Sequence, residues 1–382
     1  MTASYTMPLH RRFRVKIRSH RIDPSKIAVI VPTYKDWGGL RITLDSLMSM
    51  VHKPKEIFVV NDNESRDVPE WLSEYPISLI NYDGNRGPAY ARNAGFGLLQ
   101  KNKKSARQSG NQSITHLLTY GIQAEHDLRL RKTILVRPVR FSFTSECQWF
   151  YFTDCGCTHD PNLFMHFSMA REREGDSVVA LCGATEGVGD GLINQYMTHQ
   201  GILNPPLEEF MYGKKVAQSI ITCNTLICGL AFSYLKGFDT NFPEAAAEDL
   251  DMGIRLRELG MIGFEPNALV RHKFDEDISD FKNRFERYGR GLRRLEVKHN
   301  LSSLRPVHIN ADRENLQEFA DLQCKHMQIG YDSVAFQDGM LGILEEPIHS
   351  AGERFRSEIQ GLGEDPFAER SKSPDKRKTI IV

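Results

Sequence analysis

The chain has 382 residues, which suits one large domain with an appendage or two domains. Apolar residues make up 40%, enough for a sizeable core, and 49 basic residues balance 49 acidic ones, which argues against nucleic acid as the main partner. No run approaches the ~20 apolar residues of a membrane span, and the start lacks an apolar signal core, so a soluble cytoplasmic protein is expected.

Residues 1–25 form a basic arm with Arg11, Arg12, Arg14, Lys16, Arg18 and Arg21. It reads as a solvated, mobile segment, with peripheral membrane contact as the alternative, since no apolar face accompanies the charge. Lys26 to Val31 is a short β-rich apolar run, suited to a parallel strand buried on both faces and stopped by Pro32. Gly38-Gly39 precedes a helical pattern through Leu40, Leu44, Leu47 and Met48. Glu56 to Val60 is a second strand that ends in Asn61-Asp62, and Ile77 to Ile80 a third. Gly87 to Leu99 reads as a helix with Pro88 in its first turn. This alternation predicts an α/β fold of the Rossmann-like kind, a mainly parallel mixed sheet flanked by helices.

Residues 100–147 break the rhythm as a polar, basic insert, expected to shape part of the ligand site. Gln148 to Thr153 resumes it as a strand ending in Asp154. Pro161 to Arg173 looks helical and Ser177 to Cys182 looks like a strand. Gly183 to Lys215 is rich in Gly, Asn and Pro and is expected to be a long loop. Ser219 to Cys228 is β-like, and a helix runs from Glu248 to Leu259, where Gly260 stops it. Two short strands, 262–264 and 268–270, lead to His272. Ile278 to Val297 is a basic helix with Arg284, Arg287, Arg290, Arg293 and Arg294, which faces solvent, an anionic acceptor or a neighbouring subunit. A helical C-terminal extension over 297–362 and a disordered tail over 363–382 complete the expected organisation. The seven cysteines are odd in number and show no framework spacing, which fits reduced thiols. Cys155 and Cys157 are too few for a zinc site.

In open α/β sheets, ligands sit beyond the carboxyl ends of the strands. Pro32-Thr33-Tyr34, Asn61-Asp62 and Asp154 all fall there. Asn85-Arg86-Gly87 is a glycine-bearing turn entering a helix whose free amides attract anions, and Arg92 adds a charge for phosphate or base. Glu248, Asp249 and Asp251 open the late helix. Carboxylates there suit the helix dipole as caps, and one facing the sheet edge can also take a proton from a hydroxyl.

Taken in order, these segments resemble the family-2 glycosyltransferases of the GT-A fold. The matching stretches are Val31-Pro32-Thr33-Tyr34, Val59 to Ser65, Asn85 to Gly95, Phe152-Thr153-Asp154, Gly237-Phe238-Asp239 and Glu248-Asp249-Leu250-Asp251, followed by Arg255-Leu256. The resemblance covers residues 26–296. It implies an inverting transfer of a sugar from a nucleoside-diphosphate donor, commonly UDP, to an acceptor hydroxyl, with a divalent metal (Mn2+ or Mg2+). Carried over by position, Thr33 and Asp62 line the nucleoside pocket, with Pro32, Tyr34, Asn85 and Gly87 beside them. Arg92 lies near base or phosphates, Asp154 and His272 hold the metal, and Asp249 is the base with Glu248 as the second candidate. The chain departs from the pattern at Asp154-Cys155-Gly156, which lacks the second acid of the metal motif. Metal binding is therefore expected to depend on diphosphate oxygens. The alternative from another class is a catalytically silent nucleotide-sugar binding protein. Nucleotidyl transfer would want a glycine-rich, lysine-bearing phosphate loop after the first strand, and Pro32-Thr33-Tyr34-Lys35-Asp36 does not supply it.

Overall fold

The computed structural model describes residues 21–105 except 66, 82 and 83, residues 148–334 except 176, 210–214, 275 and 312, and a short antiparallel pair, Tyr5–Met7 with Lys378–Ile380. Most of the basic arm, residues 106–147 of the insert, and nearly all of the tail lie outside the described residues. The strands of the main sheet are β1 (Ile27–Thr33), β2 (Glu56–Asn61), β3 (Ser78–Asn81), β4 (Trp149–Phe152), β5 (Cys157–His159), β6 (Val178–Val188), β7 (Leu207–Glu209), β8 (Lys215–Ala217), β9 (Thr225–Cys228) and β10 (Met261–Lys273). Their spatial order is β3-β2-β1-β4-β9-β6-β10-β8-β7, with β5 also paired to β10.

The centre of the sheet is mostly parallel. β3, β2, β1 and β4 run alike, and β6 is parallel to β10. Only β9, between β4 and β6, opposes its neighbours there. The central strands are buried from end to end, as in Ile27-Ala28-Val29-Ile30-Val31 and Trp149-Phe150-Tyr151-Phe152, because helices cover both faces and leave no solvated side to alternate with.

β1 runs through Pro32 to Thr33 instead of stopping before the proline. The reason lies in the ladder. Thr33 offers its carbonyl to the Asp62 amide on the β2 side, while Ile30 offers its own to the Thr153 amide on the β4 side. Pro32 therefore faces β4, whose register with β1 ends at Phe152. No ladder bond asks for the amide that proline lacks.

The flanking helices are α1 (Trp37–Met48), α2 (Pro88–Ser105), α3 (Leu163–Glu174), α4 (Leu192–His199), α5 (Gly229–Tyr234), α6 (Glu248–Leu259), α7 (Ile278–His299) and α8 (Gln317–Asp332). Asp36 caps α1 by accepting from the Gly39 amide at 2.7 Å. The segment expected as a long loop over 183–215 is instead the outer half of β6, then α4 and β7. Its glycines had suggested a loop. Gly183 and Gly187 are strand positions where an added Cβ would lie 2.0 Å from the Ala268 carbonyl and 2.3 Å from the Thr198 hydroxyl, so they mark close approach within an ordered element. The two short strands before His272 are one strand, β10, with a register shift between Glu265 and Val270.

A second apolar cluster joins α4, α7 and α8 through Tyr196, Phe281, Phe285, Leu316 and Ala320. α7 begins with a capping box between Asp277 and Asp280. It crosses α8 where Gly289 meets the Met327 carbonyl and Gly330 meets the Glu286 carbonyl, a contact only small residues permit. Among the described residues, no helix is long and apolar enough to cross a membrane.

Candidate functional site

The carboxyl ends of β1, β2 and β4, the first turns of α2 and α6, and the end of β10 converge on one region. At its base, Asp62 is buried and accepts from the Arg86 amide at 2.9 Å and the Gly87 amide at 3.0 Å. Asn85 accepts from the same Gly87 amide at 3.1 Å. Gly87 has φ +84, and a Cβ there would lie 2.1 Å from the Pro243 carbonyl. The turn thus needs glycine on both counts, backbone conformation and space. Asp62 fastens the entry of α2 to the end of β2. Asn61 continues the fastening, donating to the Asn81 side chain at 2.8 Å and accepting from the Asn63 amide at 3.1 Å.

At the end of β1, Thr33 is buried, while the Pro32 carbonyl accepts from the Cys155 thiol at 3.4 Å. Tyr34 is exposed and donates to Glu64 at 3.0 Å. Lys35 carries φ +54, an uncommon conformation for a side-chain-bearing residue.

Arg92, on α2 and only 3% exposed, joins the two halves of the region. One terminal nitrogen donates to Glu248 at 2.8 Å and the other to Asp154 at 2.9 Å. Its Nε is buried with no partner. Burial alone would lower the guanidinium, but the Asp154 and Glu248 charges hold it above its ordinary value. Sequence reasoning placed Arg92 and Glu248 in one region without showing that they touch.

Glu248 and Asp249 open α6 after Ala247, which is buried and left-handed with φ +66. Such a conformation costs an alanine roughly 1–2 kcal/mol and persists only where its surroundings impose it. Asp249 is half-buried, and one oxygen accepts from the Leu250 amide at 2.8 Å. Burial, then the neighbouring Glu248 charge, pushes its carboxyl up to about 7. Burial also raises Glu248, against the pull of Arg92. Asp251, two residues on, turns away to Arg255, Lys298 and His299.

Asp154 sits beyond β4 with its backbone carbonyl held by the Thr43 hydroxyl at 3.0 Å. His272 lies on β10 opposite Cys157, in the strand pair that follows the Asp154 turn. Its Nδ1 is buried and unpartnered. Burial lowers the imidazole, and the Asp154 charge opposes that shift, so the two groups act on each other. Among the described residues, no group of three or more His, Cys, Asp or Glu side chains is set to hold a metal. An orphaned imidazole nitrogen beside one carboxylate is a partial donor set. It fits a hard divalent cation only where diphosphate oxygens complete the shell. Cys155, Cys157, Cys182 and Cys223 are free thiols raised by burial, unsuited as thiolate ligands.

Residues 28–101, which hold β1, the Asn61-Asp62 bend, the Asn85–Gly87 turn and Arg92, match the sequence model of "Glycosyl transferase family 2". Over this stretch the chain is similar to family-2 glycosyltransferases. The uncharacterized glycosyltransferase YwdF of Bacillus subtilis (strain 168) is 38% identical over 72 residues, 18% of this chain. The chain thus matches 27% of the length of that curated relative. Solved structures overlap the fold loosely. S. aureus TarS 1-349 in complex with UDP is 15% identical, covering 79% of this chain and 70% of its own, at a TM-score of 0.41. The mannosyltransferase PcManGT from Pyrobaculum calidifontis, in complex with GDP-Man and Mn2+, is 10% identical over 93% of this chain and 81% of its own, at 0.42. Likenesses at this level carry no assignment of site or substrate.

Proposed function

We propose that the protein is an inverting glycosyltransferase that moves a sugar from a nucleoside-diphosphate sugar, UDP-linked in the first instance, to an acceptor hydroxyl. The observation that carries this reading is the Asp154–Arg92–Glu248 bridge. It ties residues 28–101 to the helix that bears Asp249, which supports a donor pocket and a base joined in one site. Pro32, Thr33, Tyr34, Asp62, Asn85, Gly87, Arg92 and Asp154 surround the donor in this reading. The glycine-bearing turn Asn85–Gly87 offers close backbone approach, and Asp62 holds that turn in place.

Asp249 takes the acceptor proton as the hydroxyl oxygen attacks the anomeric carbon. The bond from that carbon to the diphosphate breaks on the opposite face, its electron pair leaving with the nucleotide. One displacement inverts the configuration. A carboxyl raised to about 7 suits a base working near neutrality. Glu248, ion-paired to Arg92 at 2.8 Å, is the second candidate and is the more committed of the two to structure. Asp154 and His272 would hold a divalent cation, Mn2+ or Mg2+, which when bound offsets charge on the departing diphosphate.

Calorimetry against a panel of nucleoside diphosphates, with and without Mn2+, tests the reading. Binding of one diphosphate, strengthened by Mn2+, together with release of nucleoside diphosphate on incubation with its sugar donor, is expected. Donor binding without any release would favour a silent binding protein instead. Failure to bind every nucleotide would remove the reading.

A further inference from the structure

The transfer proposed above, on which this inference rests, deposits negative charge on a diphosphate. The metal site is lean, and Arg92 already has both terminal nitrogens on Glu248 and Asp154. A second cation with a free hydrogen-bonding face is therefore wanted near the base. α7 carries five arginines within Arg284–Arg294, and four have carboxylate partners. Arg284 pairs with Glu276, Arg293 with Glu296, and Arg290 and Arg294 share Glu244. Arg287 has no ion pair among the described residues, and its Nε is buried without a partner.

Its place on the helix makes this absence informative. Arg284, one turn earlier, lies 5.9 Å from the Phe274 ring, and its charge acts on His272. Gly291, one turn later, packs so closely on Ala246 that an added Cβ would lie 2.8 Å from it. Residues three and four apart share a helix face, so Arg287 sits between the His272 end of the region and the loop leading into Ala247 and Asp249. Glu244, the carboxylate close enough to act on it, already has both oxygens on Arg290 and Arg294. Arg284 and Arg290 add like charge beside it. A half-buried guanidinium with like-charged neighbours and no ion pair of its own among the described residues is costly, and that cost is relieved when an anion arrives. The planar fork of a guanidinium matches phosphate oxygens.

We propose that Arg287 is a diphosphate-binding residue, contacting the phosphate oxygens of the nucleotide donor and stabilising them as the sugar leaves. It donates hydrogen bonds and charge and transfers no proton.

The test is calorimetry of the unmodified chain, Arg287→Gln and Arg287→Lys, each titrated in Mn2+ with UDP and with uridine, alongside thermal melting. Removing charge-assisted hydrogen bonds should weaken UDP binding by about 10- to 100-fold in the Gln variant. Uridine affinity should stay unchanged, the Lys variant should recover part of the loss, and the melting temperature should hold or rise. Unchanged UDP affinity in the Gln variant overturns the inference and leaves the transferase reading intact. Equal loss of UDP and uridine together with a lowered melting temperature makes Arg287 structural and also overturns it. If the unmodified chain binds no member of the wider diphosphate panel, the transferase reading falls and the inference falls with it.

Discussion

Asp249 and Asp251 stand two residues apart on the first turn of one helix, and their surroundings send them in opposite directions. Asp251 is fully buried. Burial would raise it, but the His299 hydrogen bond and the charges of Arg255 and Lys298 outweigh that and hold it well below the usual carboxylate range. Asp249 is less buried by surface, yet among the described residues no cation forms an ion pair with it, and Glu248 beside it adds like charge. Its carboxyl rises instead. Arg92, whose charge pulls Asp249 down, is divided between Glu248 and Asp154. The contrast teaches that an acidic first turn is not one feature. The helix dipole favours all three carboxylates alike, and tertiary partners then divide them into an anchor, a bridge and a carboxyl raised towards neutrality.

The largest effect is expected where the anchor is broken. Asp251→Asn leaves Arg255, Lys298 and His299 without their shared carboxylate and should destabilise the fold by about 3–5 kcal/mol, read by urea unfolding. Because Asp251 is ionised at neutral pH, the parent's advantage should persist at neutrality and shrink only as pH falls through the depressed folded value. A loss under about 1 kcal/mol would mean that the buried network adds little net stability.

Asp249→Asn should cut turnover by at least ~10²-fold while leaving nucleotide binding in place. Near-normal turnover would move the base to Glu248. The same variant sharpens the contrast through pH. A carboxyl raised in the folded state leaves stability intact below its unfolded value, and stability is lost as pH rises through about 7. Asp249→Asn should therefore match its parent near pH 4 and exceed it near pH 8. The gain should reach at most a few kcal/mol, since a tenfold change in proton affinity is worth about 1.4 kcal/mol and solvent at this half-buried carboxyl reduces it. The parent's kcat/KM should in turn rise through neutrality as Asp249 ionises.

The smallest effect is expected at the hinge between the two carboxylate environments. Ala247→Gly relieves the left-handed backbone but adds freedom to the unfolded chain, for a net gain of about 0–1 kcal/mol. If the backbone holds Asp249 in place, turnover should fall while unfolding hardly changes. Equal turnover would show that the Arg92 bridge alone sets the geometry.

Much of the fold was legible because buried parallel strands are unbroken apolar runs. Ile27 to Val31, Ile57 to Val60 and Trp149 to Phe152 could be read directly, and Gly260 ended α6 where a helix stop was expected. The glycines of β6 misled, since the same residue serves a turn and a close strand contact. The one-residue overshoot past Pro32 depended on which neighbour faced it, which a single strand does not reveal. At the site, the chain order of Asp62, Gly87, Arg92, Asp154 and Glu248-Asp249 could be read as a set, and so could the missing second acid after Asp154.

Local sequence therefore determined most element types, the acidic first turn of α6 and the glycine turn before α2, because propensity, capping and periodicity act over a few residues. Tertiary structure decided which carboxylate is neutralised, which is raised and which arginine of α7 has no ion pair among the described residues. Arg92 meets Glu248 across 156 residues, and Asp251 meets His299 across 48. Desolvation and charge pairing depend on distance in space, and only the folded sheet brings those groups together.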